Sequence, residues 1–169
     1  SMDEGWTRWV LDQYKLRHSP LTDAEARAGD LRTRYDCLII PAQSSRPITA
    51  GLSRNRYPAE ISGGLGDAGV NALKKFIEEG GTVITLNEAS QFAIEKLGVP
   101  VQNVLEGVSA REFYCPGSIL RIKFEAINPL TQGAPPLGST TDQSIAWFEA
   151  GPAFQTTSDD ARVIARFGD

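Results

Sequence analysis

The chain has 169 residues, 41% hydrophobic and 22% charged, a composition that fits one soluble domain around one core. Its formal net charge of −4 argues against a nucleic-acid or anionic-membrane surface, which needs clustered Lys and Arg. No apolar run approaches the ~18 residues of a membrane span, and two cysteines make neither a disulfide framework nor a zinc site.

The first predicted element is an amphipathic helix over Asp3–Tyr14, with Trp6, Trp9, Val10 and Gln13 on one face. A short strand is expected around Leu16–Ser19. Thr22-Asp-Ala-Glu25 has the spacing of a capping box and opens a short helix that stops at Gly29. Asp36–Pro41 is the clearest buried strand, with Cys37 expected inside it as a buried thiol. Residues Ala42–Ile61, rich in Ser, Arg, Pro and Gly and without periodicity, read as one long loop.

The next unit is the most informative. Val70, Leu73, Phe76 and Ile77 recur at helical spacing, and Gly80-Gly81 end that helix. Thr82–Leu86 is a β-branched run of the kind that fills a strand covered on both faces. Asn87 follows as a natural N-cap for a second helix. Two such strands joined through a helix favour a right-handed parallel crossover, so Asp36–Pro41 and Thr82–Leu86 are expected to be parallel and adjacent or nearly so.

Beyond Val101–Val104, a further short strand, the pattern changes. Ser118–Glu125 alternates apolar and polar as a strand with one wet face does. Ser144–Phe148 and Ala161–Phe167 are two more strands. The expected fold is therefore α/β, with three layers and a mostly parallel sheet, β-rich towards its C-terminus. The helix at the start and the strand candidate at the end lead to the expectation of a single domain, residues 1–169, excised from a longer protein, with a strand preceding Met2 and more sheet following Asp169.

The chemistry-bearing residues are few. In a doubly wound sheet the corner after Thr82–Leu86 lies at the carboxyl edge, where ligands and nucleophiles sit. Asn87, Glu88 and Ser90 are the candidate pocket there; simple capping of the helix is the alternative reading. Cys115, in Tyr114-Cys-Pro-Gly117, is a candidate thiol, although no His neighbours it in sequence. Gly64-Leu-Gly66-Asp-Ala-Gly69 matches G-x-G-x-x-G but follows a loop rather than a strand, so a closely packed helix-opening turn is favoured over a dinucleotide site. Arg46, Arg54 and Arg56 could hold an anion or simply be solvated. His18, the single histidine, is expected at a strand end with a satisfied hydrogen bond. No catalytic residue and no metal ligand is assigned.

Three stretches carry a resemblance: DEGWTRWVLDQY at 3–14, GGLG with LKKFIEEGGTVITL at 63–86, and EFYCPGSILR at 112–121. They resemble the C-terminal region of bacterial zinc carboxypeptidases of the carboxypeptidase A type, a region similar to the class I glutamine amidotransferase-like, flavodoxin-like fold. The resemblance implies a parent peptidase that is secreted or periplasmic. Its zinc would be held by two His and a Glu in a separate upstream domain, which would be this chain's partner. It also implies no cofactor in this chain, because a single His cannot supply that ligand set. The amidotransferase pattern departs at the elbow, Thr85-Leu-Asn-Glu-Ala89, where Asn87 stands in the position of the nucleophilic Cys and no His follows. The preferred expectation is a non-catalytic accessory domain. A stand-alone hydrolase using Cys115 or Ser90, and a small-molecule, carbohydrate or peptide binding module, are the alternatives. No nucleic-acid partner and no membrane span are expected.

Overall fold

The computed structural model of the chain describes residues 1–53, 55–58, 62–124, 129–132 and 144–168. Contacts divide it into two compact units, Ser1–Val99 and Pro100–Asp169.

The first unit opens with α1, Met2–Gln13, capped by the Ser1 side chain and braced by an Arg8–Glu4 ion pair at 2.7 Å. None of its residues is buried. Trp6 and Trp9 meet edge to face at 6.0 Å, and their face of the helix is open to water. The expected strand at Leu16–Ser19 does not form; those residues are irregular and exposed. His18 therefore sits in irregular chain, with its Nε2 3.7 Å from Asp12.

Helix α2, Asp23–Ala28, has both arms of the capping box. The Glu25 N–H donates to Thr22 Oγ1, and the Thr22 N–H donates to the Glu25 carboxylate at 2.9 Å. Gly29 ends the helix at φ 81°, a conformation that costs a residue without a Cβ little. Strand β1, Cys37–Ile40, follows. The segment expected to be one long loop contains a helix, α3, Ser45–Ala50, held down by its buried Ile48. Residues 54 and 59–61 of that segment lie outside the described residues.

Helix α4, Gly66–Glu78, buries Val70, Leu73 and Phe76, while Ile77 stays substantially exposed on the flank. Gly80, at φ 87°, and Gly81 close it: the Gly81 N–H donates to the Phe76 carbonyl at 2.8 Å and the Gly80 N–H to that of Ile77 at 2.9 Å. This paired arrangement is the left-handed stop that Gly-Gly favours. Strand β2, Thr82–Thr85, then pairs with β1 in parallel, Cys37 against Thr82 through Ile40 against Thr85. The two strands are thus parallel and adjacent, as expected. A short helix α5, Ala89–Phe92, runs into a π-helical turn at Ala93–Leu97.

The core of this unit lies on one side of the β1–β2 pair. Leu38 packs there with Ala26, Leu31, Ile48, Leu65, Val70, Leu73, Phe76, Ala89 and Phe92, and with the half-buried Ile40 and Val83. Phe76 and Phe92 are only 1% and 0% exposed, each burial contributing roughly 1.5–3 kcal/mol. Parallel partners share a face, so Cys37, Ile39, Thr82 and Ile84 point the other way, and all four are exposed. This corrects two expectations: the strands are covered on one face, not both, and Cys37 is exposed. The apolar run Cys37–Ile40 is the same in either case. What decides is that α2, α3, α4 and α5 all bring their apolar residues to the Leu38 side.

In the second unit, β3, Val101–Asn103, pairs antiparallel with β6, Phe154–Thr156. Strand β4, Ser118–Phe124, is central in a second sheet, flanked by β5, Ile145–Phe148, and β7, Ala165–Phe167. Both pairings are antiparallel. Strand β7 is shorter than the expected Ala161–Phe167, and β6 was not expected from the sequence. The period-2 alternation of β4 buries Leu120 and Ile122 in part and exposes Ile119, Arg121 and Lys123. On the inner face, Phe148 is buried between Phe113 and Phe167, with ring centroids at 6.2 and 5.4 Å.

Candidate functional site

The strand-to-helix corner is built by two opposing demands. Strand β2 ends at Thr85, and Leu86 still follows its direction, its N–H donating to the Ile40 carbonyl at 3.0 Å. The chain must then reverse into α5 within a few residues. Asn87 makes that reversal at φ 48°, in the left-handed region. Asn tolerates this conformation better than other residues with a Cβ, because its short amide can bond locally. The Asn87 carbonyl accepts from the Ser90 N–H at 3.0 Å, and the Leu86 carbonyl from the Ala89 N–H at 3.0 Å, which fastens the turn.

This geometry corrects the capping expectation. The helix begins at Ala89, its cap position is Glu88, and no side chain caps it. Asn87 serves the corner through its backbone. Glu88 lies at the helix opening with an exposed side chain.

Ser90 is half-buried and directed back towards the strand. Thr85 Oγ1 donates to Ser90 Oγ at 3.3 Å, and the Ser90 hydroxyl can donate to the Thr85 carbonyl at 3.5 Å. Thr85 was not singled out from sequence; only its place at the strand end could have pointed to it. The structure thus brings Asn87, Glu88 and Ser90 together at one corner. His18, the single imidazole of the chain, lies 3.7 Å from Asp12, and the hydrogen bonds of the Ser90 hydroxyl run to Thr85.

Below the corner the π-turn is tied to α3. Ser45 Oγ donates to Glu95 Oε2 at 2.6 Å, and Gln91 Nε2 to Glu95 Oε1 at 3.2 Å. The Ser45 hydrogen bond holds the Glu95 carboxyl below its ordinary range; burial opposes it, and Gln91 and Lys96 add smaller lowering effects.

Cys115 belongs to the second unit and is half-buried. The carboxylate nearest in sequence, Glu112, is engaged elsewhere: it accepts from the Ser109 hydroxyl at 2.8 Å and the Ser109 N–H at 3.1 Å, which lowers its pKa. Arg46 is exposed on α3 and Arg56 in the turn after it, whereas Arg54 lies outside the described residues.

The glycine motif is a packing device. A Cβ on Gly64 would run into the backbone of Thr49 and Gly51, and Leu52 bridges Gly63 across the same crossing. The Arg27 guanidinium donates to the Gly64 carbonyl, and the Leu65 N–H to that of Ile48 at 2.9 Å. Gly66 then turns into α4 at φ 55°.

Among the described residues no three His, Cys, Asp or Glu side chains gather as a metal would require, and no helix is long and apolar enough to cross a membrane. Compared with protein-family models, with curated proteins and with solved structures, the chain matches none.

Proposed function

We propose that this chain is a non-catalytic accessory domain of a zinc metallocarboxypeptidase, built on a class I glutamine amidotransferase-like, flavodoxin-like sheet. The zinc and the peptide chemistry would reside in an upstream peptidase domain, its partner, and the parent would be secreted or periplasmic. The observation that carries the reading is Asn87 at φ 48° directly after a parallel strand. A left-handed residue between strand and helix is the backbone of a nucleophile elbow. An amide side chain at its apex cannot attack a carbonyl. The link proposed to the peptidase family is the resemblance carried by the sequence stretches at 3–14, 63–86 and 112–121.

The hydrolase alternative receives no support from the surroundings of its two candidates. Ser90 bonds back to the strand end, and Glu112 is occupied by Ser109.

The test is an assay of the chain against peptides with free C-termini and against glutamine, with and without added zinc. No turnover is expected from the native chain or from Asn87→Cys, since a thiol there would have no imidazole beside it. Turnover in either, or labelling of Ser90 or Cys115 by an active-site-directed serine or thiol probe, would overturn the reading.

A further inference from the structure

Two apolar surfaces of the first unit are left wet by the chain that carries them. One is on α1. Met2, Trp6, Trp9, Val10 and Gln13 fall on one side of that helix and all are exposed, Trp6 by 60% and Trp9 by 54%. Glu4, Thr7 and Leu11, on the other side, are half-buried, so α1 leans on that side and presents its stripe to water. The second surface is the outer face of the β1–β2 pair. Ile39 and Ile84 are register partners there, 37% and 41% exposed, with the exposed pair Cys37 and Thr82 beside them. Parallel strands are ordinarily covered by helices on both faces. Here α2, α3, α4 and α5 are all committed to the Leu38 face.

We propose that the chain forms a two-fold dimer in which α1 of each copy lies across the outer β1–β2 face of the other. Each copy carries both halves of the contact and, folded alone, leaves both exposed. Three physical points select this occupant. The lengths match: the 12 residues of α1 make a rod of about 18 Å, and four-residue strands run about 13 Å, so the stripe spans the pair with little overhang. The chemistry matches: neither the stripe nor the four outward strand residues include Asp, Glu, Lys or Arg, so docking strands no charge. The area suffices when the contact is made twice. A half-exposed Trp contributes roughly 100–150 Å² and each aliphatic side chain less, so one helix-on-sheet contact removes on the order of 800 Å² from water. That is below the range of a stable interface, whereas the two equivalent contacts of a dimer reach about 1,600 Å², the standard size. Because the reciprocal exchange uses up both surfaces, association stops at two copies. The proposal does not depend on the accessory-domain reading.

The experiment uses the full chain. Sedimentation equilibrium over rising protein concentration is expected to show a monomer converting to a dimer and to nothing larger. Trp6→Ser with Trp9→Ser should raise the dimer dissociation constant at least tenfold while circular dichroism shows the fold kept. Ile84→Lys should do the same from the other side of the contact; if it does not fold, the tryptophan variant decides. A disulfide trap then reads who covers whom. In the Cys115→Ser chain Cys37 is the only thiol, and Met2→Cys or Gln13→Cys adds one at either end of the stripe. Mild oxidation of at least one of the two should join the added thiol to Cys37 of the other copy, identified by peptide mass. The proposal fails if the chain stays monomeric, or if the tryptophan variant dimerises as tightly as the parent. It also fails if the disulfide closes within one chain, if it joins stripe to stripe, or if neither added thiol reaches Cys37.

Discussion

The two units spend their large apolar side chains in opposite ways. In Ser1–Val99, four helices turn Ala, Ile, Val, Leu and Phe residues towards Leu38, and Phe76 and Phe92 are almost wholly removed from water. In Pro100–Asp169, among the described residues, Phe148 is the one large apolar side chain that is buried, while Ile119, Ile145, Trp147 and Phe167 stay exposed. Two packed layers make a core in which removing any member leaves a hole. Two small antiparallel sheets leave much of their apolar surface available for contact. The difference teaches where each unit's tolerance to change should lie.

The largest expected effect tests that contrast. Phe92→Ala should destabilise the first unit by about 3–5 kcal/mol, since the surrounding helices cannot fully collapse onto the void. Phe148→Ala should cost less, because both its ring partners are themselves partly wet. Urea unfolding followed by hydrogen exchange reads each unit separately. An equal loss in both would mean that the second core is as tightly packed as the first.

A smaller effect sharpens the account of the corner. Asn87→Ala and Asn87→Thr should each cost on the order of 1–2 kcal/mol through left-handed strain, and Asn87→Gly should be close to neutral. An N-cap would rank these differently, because Thr caps well. A urea midpoint preserved in Asn87→Thr would restore the capping role.

The smallest effect is electrostatic and confined to the first unit. Hydrogen bonds from the backbone and hydroxyl of Thr22, then from Arg34, lower the Glu25 pKa to about 2. A carboxyl depressed on folding contributes stability above its unfolded pKa of about 4.3 and loses it as pH falls towards the folded value. Between about pH 4.5 and 2 the native chain should lose stability that Glu25→Gln does not lose, measured as the pH dependence of the urea midpoint. Equal slopes in the two proteins would show that the capping box adds nothing electrostatic.

Much of this was readable wherever chemistry acts over a few residues. Thr22 and Glu25 announce a capping box, Gly80-Gly81 a helix stop, and the alternation of Ser118–Phe124 a strand with one wet face. The parallel pairing of β1 and β2 followed from two apolar strands with a helix between them. What stayed illegible depends on distant partners. An apolar run such as Cys37–Ile40 is compatible with one covered face or two. The six residues of α3 lack periodicity because Ile48 and the Ser45–Glu95 bond, not a helical stripe, hold them. At the corner, Asn suits both an N-cap and a left-handed turn, so residue type located the bend without fixing its conformation.

The parallel pair also sets an order of events. Cys37 meets Thr82 only after the intervening chain has closed a long loop, and that closure costs entropy before any strand hydrogen bond compensates it. Helix α4 and its Gly-Gly stop need only near neighbours and can form on the sub-microsecond to microsecond scale of local structure. The sheet that carries the Asn87 corner is therefore a late product of folding. A chain slowed at that step would hold its helices while the corner was still unmade.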